Sequence, residues 1–133
     1  MNKEQLLKKL RLEEDHTVLI VNAPKEYVSL LGSLKYSTKP LKTDEGKYDF
    51  VQVFATSQNQ LEKLTQQCAK AGKYNCIFWA TYPKGGGHIK SDIQRDSVWN
   101  AFEKAGLRPV SQISIDETWN ALRARPHEMV GKE

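Results

Sequence analysis

Two stretches of the chain hold the residue types that could do chemistry. The first is Pro83-Lys84-Gly85-Gly86-Gly87-His88-Ile89-Lys90, followed by Ser91, Asp92, Arg95 and Asp96. Three consecutive glycines are costly to order, but they let backbone N–H groups come close to an anion. Lys84, Lys90 and Arg95 add positive charge, and a helix start after them adds the positive end of a dipole. Asp92 and Asp96 lie one helical turn apart, as do Asp92 and Arg95. Two carboxylates at that spacing can move a proton or hold a metal. The plainer reading is that they cap a helix and pair with cations. The second stretch runs from Asp116 to His127 and includes Trp119, Arg123 and Arg125. It reads as a capped helix whose basic end faces its own negative pole. The same arginines could also grip a carboxylate or phosphate.

Several familiar sets are missing. The order Gly-x-x-x-x-Gly-Lys-Ser/Thr does not occur, so the glycine run is not a P-loop. The first strand-to-helix turn reads Asn22-Ala23-Pro24 and not Gly-x-Gly-x-x-Gly, which argues against a nicotinamide, flavin or methyl-donor site of the standard type. His16, His88 and His127 are far apart, with no metal or triad spacing, and no Gly-x-Ser-x-Gly elbow appears. Cys68 and Cys76 lie among apolar neighbours and read as buried free thiols in a reducing compartment. No cofactor and no metal is expected. Trp79 sits in a strand pattern and reads as core. Trp99 and Trp119 read as packed between helix and sheet, or else as an aromatic patch for a partner.

The elements that must position these residues follow from hydrophobic periodicity. Asn2 to Leu10 is an amphipathic helix. Thr17 to Val21 is a β-branched and aliphatic run, as suits a strand buried on both faces. Asn22 caps, and Pro24 opens, a helix through Tyr27, Leu30, Leu31 and Leu34. Lys35 to Lys47 is a polar loop that could hold a short edge strand at Ser37 to Leu41. Tyr48 to Ala55 is a strand, Ser57 and Gln60 have capping-box spacing, and the helix they begin ends at Gly72. Asn75 to Tyr82 is a third strand. A helix capped by Ser91 or Asp92 runs to Gly106, and Leu107 to Ile115 is a last strand, where Pro109 implies a place at or near a sheet edge or a proline at the strand's beginning. A final helix starts at Asp116, and the tail from Pro126 is loose.

This order predicts an α/β fold: a single three-layer (αβα) Rossmann-like domain with a small, mostly parallel sheet of about four or five strands. Residues 1–15 form a lead-in and residues 126–133 a tail. A chain of 133 residues is long enough for its own core. No apolar run approaches the roughly 18 residues of a membrane span, so no membrane partner is expected. The net charge of +4 is a mild excess. Basic and acidic residues alternate along the chain with no basic stripe, so no nucleic-acid partner is expected.

The C-terminal third resembles a family of small bacterial proteins that carry a domain of unknown function. The matching segments are Tyr82-Pro83-Lys84, Lys90 to Ala101 and Gly106 to Pro126. Val18 to Tyr27 is similar to the opening of the same family. The triple glycine departs from its pattern. The resemblance implies the same fold and a bacterial cytoplasmic setting, and it brings no reaction with it.

If the strands run parallel, their carboxyl ends share one rim. That rim would gather Lys84, His88, Lys90, Asp92, Arg95 and Asp116. The expectation drawn from this is a non-enzymatic binding or regulatory domain holding an anionic small molecule or an acidic protein partner. The alternatives are a small transferase or hydrolase acting on a phosphorylated substrate, with Asp92 or Asp116 as acid–base group, and a homodimer joined through Trp99 or Trp119. The sequence leaves the oligomeric state open.

Overall fold

A computed structural model describes residues 2–41, 43–85 and 89–130. Nine elements follow in order: α1 (Lys3–Leu10), β1 (Val18–Val21), α2 (Lys25–Leu31), β2 (Tyr48–Phe54), α3 (Gln58–Ala71), β3 (Gly72–Pro83), α4 (Arg95–Lys104), β4 (Leu107–Ser114) and β5 (Trp119–Pro126). The aliphatic runs become the middle of the sheet, where both faces are covered, and all four residues of β1 are buried. The strand order is β1-β2-β3-β5-β4. β1, β2 and β3 are parallel, with Val18 opposite Phe50 and Val53 opposite Ala80. β5 runs antiparallel between β3 and β4, so β4 points the same way as the first three strands. The sheet is mostly parallel in direction, and the α/β expectation holds.

Helices cover both faces. Leu6 and Leu10 of α1, with Tyr27 and Leu31 of α2, pack on Val18, Ile20, Phe50, Phe54 and Trp79. Leu61 and Cys68 of α3, with Val98 and Phe102 of α4, pack on Leu19, Val51, Val53, Phe78 and Leu122. The first layer is pinned by Trp79 Nε1, which donates to the Leu10 carbonyl at 2.9 Å. A buried polar chain crosses beneath it: Tyr27 Oη donates to Gln52 Oε1 at 2.7 Å, and Gln52 Nε2 donates to Thr81 Oγ1 at 3.0 Å. Each of these polar groups is thereby spared the cost of burial without a partner.

The final helix expected from Asp116 is instead strand β5. Asp116 does cap, but it caps a turn: its Oδ1 accepts the N–H groups of Thr118 and Trp119 at 2.8 and 2.9 Å. That turn reverses β4 into β5, with Ile115 N–H donating to the Trp119 carbonyl. An aspartate before an amphipathic run gives the same local signal for a helix and for such a turn. The choice is made by the open edges of β3 and β4, which bond β5 on both sides. β4 is an edge strand, the first of the two places that Pro109 allowed.

Three smaller differences concern caps. α4 begins at Arg95 with Gln94 as its N-cap, not at Ser91 or Asp92. α2 has Pro24 at its N-cap and no side-chain cap, so Asn22 has another task. Gly72 ends α3 through space and not through a positive φ: a Cβ there would stand 2.6 Å from Cys76 Sγ. Gly86, Gly87 and His88 lie outside the described residues, as do 131–133. Pro126 closes β5 and is followed by a single 3₁₀ turn, His127–Met129. Both cysteines are free; burial pushes the Cys68 thiol up to about 12 and that of Cys76 up to about 11, so neither is a ready nucleophile. No helix is long and apolar enough to cross a membrane, among the described residues.

At the amino ends of the strands, Asp49 ties β1 to β3. One oxygen accepts the Thr17 N–H and the other meets Lys73 Nζ, each at 2.8 Å. The hydrogen bond from Lys73, then that from Thr17, holds the Asp49 carboxyl below its ordinary value of 3.8. A depressed carboxyl contributes stability above its unfolded pKa and loses it as pH falls through the folded one. Asp49→Asn should therefore lower stability by about 1 kcal/mol at neutral pH. In urea unfolding, its difference from the parent should close as the pH drops below about 4.

Candidate functional site

The carboxyl ends of β1 and β2 are tied together and then part. Asn22, just past β1, has φ 65°, the left-handed region that asparagine tolerates better than most residues. Its Nδ2 donates to the Phe54 carbonyl at 3.0 Å. From there the chain enters α2 on one face of the sheet. Past β2, Thr56 N–H donates to Gln60 Oε1 at 3.0 Å, and Ser57 Oγ accepts the Gln60 N–H at 3.3 Å. That chain enters α3 on the opposite face.

Ser37 explains why the two exits diverge. It forms a parallel bridge on the outer edge of β1, with Ser37 N–H donating to the Val18 carbonyl and Ile20 N–H donating to the Ser37 carbonyl. The expected edge strand is thus a single bridge. The chain then returns along α3, where Gly46 and Lys47 donate to the carbonyls of Lys70 and Ala71 at its far end. The connection from β1 goes outward and the one into β2 comes back over the other face. Such a parting of exits is the topological switch point at which open α/β sheets hold ligands.

A crevice of about 420 Å³ opens there. Asn22, Ala23 and Val28 form one wall, Tyr36, Thr38 and Lys39 another, and Gln60 and Leu64 of α3 a third. Across the first turn of α2 lies a second cavity of about 540 Å³, walled by Tyr27, Trp119, Ile115 and Ile89, with Glu26 and Asp116 among its lining. Its aromatic floor is stacked edge to face, Tyr27 on Phe54 and Phe54 on Trp119, with centroids 4.7 and 5.3 Å apart. Burial raises the Tyr27 phenol well above its ordinary value, the hydrogen bond to Gln52 opposes this, and the Asp116 charge adds to the rise. Tyr27 stays protonated and donates to Gln52, so it is not a proton shuttle.

The expected site residues do reach the carboxyl rim, but they do not form one cluster. Lys84 Nζ donates to Ser114 Oγ at 2.6 Å and lines a shallow recess with Asp116. Asp92 lies elsewhere: its Oδ1 accepts the Gln58 N–H at 2.8 Å, capping α3 and not its own helix. Arg95 sits near Tyr82, whose pKa burial raises and the Arg95 charge lowers. Lys90 is exposed. Trp119 is buried, which removes it from any surface patch, whereas Trp99 is exposed on α4. A further cavity, about 510 Å³, lies at the opposite pole between α3 and α4. Two of its lysines are already paired, Lys73 with Asp49 and Lys104 with Glu62. Sequence reasoning missed Asn22 as a backbone device and Thr38, Lys39 and Gln60 as crevice walls. The missing glycine motif at the β1 exit was the one available signal, and it was read as excluding a site.

No family profile matches the chain, and no curated protein matches it. Solved structures do. A SAM-dependent methyltransferase from Aquifex aeolicus superposes with a TM-score of 0.67 at 16% identity, over 92% of this chain and 88% of that one. The fold is theirs. The 1,6-didemethyltoxoflavin-N1-methyltransferase of Burkholderia thailandensis gives 0.57 at 11% identity, over 93% and 76%. The [4+2]-cyclase SpnF gives 0.59 at 11%, over 97% and 80%. These neighbours overturn the expectation of a non-enzymatic domain for an anionic ligand or acidic surface, because they are enzymes by name. They also give no footing to a phosphorylated substrate. That expectation rested on the absence of a catalytic set among the side chains, which the fold alone does not require.

Asp92→Ala should unfold at lower urea by about 1 kcal/mol with an unchanged m-value, as loss of a helix cap does. An unchanged midpoint would show that Asp92 does not hold α3.

Proposed function

We propose that this domain is a small-molecule methyltransferase that takes S-adenosylmethionine in the crevice at the β1 exit. The reading includes a bacterial cytoplasmic setting and membership in the family of small proteins that the C-terminal third resembles. The observation that carries it is the parting of the β1 and β2 exits to opposite faces, with an open crevice at the point of divergence.

The residues fit such a donor in most respects. Its carboxylate would meet Lys39, the cation of the crevice wall. Its adenine would lie against Val28, Tyr36 and Leu64, and its ribose hydroxyls against Thr38 and the amide nitrogen of Gln60, whose Oε1 is taken by Thr56. The left-handed turn at Asn22 does what glycine does elsewhere, bending the backbone sharply out of β1. Among the described residues the crevice wall holds no carboxylate to accept the ribose hydroxyls, the role an acid about 20 residues on plays in dinucleotide folds.

The donor supplies an electrophilic methyl group when bound. The chain's own contribution is to orient and to exclude water. The second cavity, on the other side of the first turn of α2, offers aromatic walls at Tyr27 and Trp119 for an acceptor, and Asp116 at its margin can accept a proton. The Tyr27–Gln52–Thr81 chain fixes that wall from below.

Isothermal titration of the full chain with S-adenosylhomocysteine tests the reading. A saturable heat is expected, weakened about tenfold or more by Val28→Trp, which fills the crevice, and by Lys39→Glu, which repels the carboxylate. No heat, or heat untouched by both variants, would overturn it.

A further inference from the structure

The correction of β5 from helix to strand moves two arginines. On a helix they would cap its end; on β5, Arg123 and Arg125 alternate with buried Leu122 and Ala124 and share one face. Register extends the set. Arg108 of β4 stands directly opposite Arg125, and Arg123 stands opposite Ser111. Arg123 also pairs with Trp79, so this is the face of the α1 layer. Arg11, which ends α1 in the left-handed conformation, is close enough for its charge to act on Arg123. Arg108 and Ser111 are exposed, and α4 packs on β4 from the other side of the sheet.

Like charges directly opposite each other in an antiparallel pair repel. Among the described residues, the charges that act on Arg123 from the side chains around it are those of two further arginines, Arg11 and Arg125, and of Cys76. Arg123 Nε is buried and has no hydrogen-bond partner among the described residues. Arg125 is held in place by Asn75, its Nε donating to Asn75 Oδ1 at 3.0 Å. A chain that gathers four guanidinium groups on one face of its sheet is arranged for anions.

The spacing and the surroundings choose the anion. Arg123 and Arg125 are two residues apart on one strand, hence about 7 Å. Arg108 and Arg125 face each other across neighbouring strands, hence about 5 Å between backbones. A lone small anion would engage one of these sites, whereas a polymer with a phosphate at each step engages the row. A protein partner needs apolar anchors at the centre of its interface. Here the exposed centre is Arg108 and Ser111, the polar and basic composition of a nucleic-acid interface.

We propose that the arginine face of β4 and β5 binds the phosphodiester backbone of a nucleic-acid strand without reading its bases. It departs from the sequence-based expectation of no nucleic-acid partner, which rested on basic residues scattered along the chain; the strand pairing collects them. The site is independent of the crevice at the β1 exit and stands or falls apart from it.

The test is fluorescence anisotropy of labelled oligothymidylate with the full chain, at salt from about 50 to 200 mM. Binding is expected at low salt. Arg108→Gln with Arg123→Gln should weaken it about tenfold or more and reduce the log–log salt slope by about 1.4. Lys63→Gln with Lys70→Gln removes the same charge from α3 on the opposite face and should change affinity less than about twofold. Arg108→Lys with Arg123→Lys keeps the charge, guards against misfolding, and should keep the salt slope. Absence of binding at low salt, equal losses in the two glutamine pairs, or displacement by polyglutamate at matched charge would each overturn the proposal, the last in favour of an acidic protein partner.

Discussion

Ser37 exchanges two backbone hydrogen bonds with β1, at Val18 and Ile20, and much of the molecule follows from where they put the chain. A segment held on the outer edge of β1 must return to reach β2, and the free face for that return is the one occupied by α3. α2 takes the opposite face. The exits of β1 and β2 are therefore driven apart, and the space between them is left open because α2 and α3 start there on opposite faces of the sheet. Asn22 keeps that space in register by donating to Phe54, so the two strand ends remain adjacent while their connections diverge. The crevice is a consequence of connectivity, and its walls are the residues that happen to line the return path.

The second organising event is the insertion of β5. Its backbone satisfies β3 and β4 at once, and its side chains alternate between an apolar row against α4 and a row that turns basic toward the end of the strand. One strand thus completes the core and presents Arg123 and Arg125 together. The same insertion brings Trp119 over Phe54 and closes the cavity beside Tyr27. The crevice at the β1 exit, the aromatic cavity and the arginine face are all products of two pairing decisions at the two ends of a short parallel sheet.

How much of this the residues announced depends on the range of the interaction. β1, β2 and β3 were legible because Val18–Val21, Phe50–Phe54 and Ile77–Ala80 are apolar on both faces, a local property of a central parallel strand. Pro109 likewise pointed to an edge or to a strand's beginning. β5 was misread because Asp116 followed by Trp119 and Leu122 fits a capped helix as well as a turn and strand, and only the unpaired edges of β3 and β4 decide between them. Asp92 was read as a cap and is one, but for a helix more than thirty residues earlier, a pairing no local pattern encodes. The site was the least legible part. Lys84, Asp92, Arg95 and Asp116 lie on the shared rim as sheet polarity required, yet they fall on separate sides of it. Thr38 and Lys39 looked like loop because their role comes from the bridge beside them.

The central claim is that the parting of the β1 and β2 exits makes a ligand site. Amide chemical shifts of the isotope-labelled chain, followed during addition of S-adenosylhomocysteine, address it residue by residue. The account predicts movement at Asn22, Ala23, Val28, Thr38, Lys39 and Gln60, with Arg108 and Arg123 unmoved. Shifts confined to Lys84 and Asp116, or a spectrum that does not move, would contradict it.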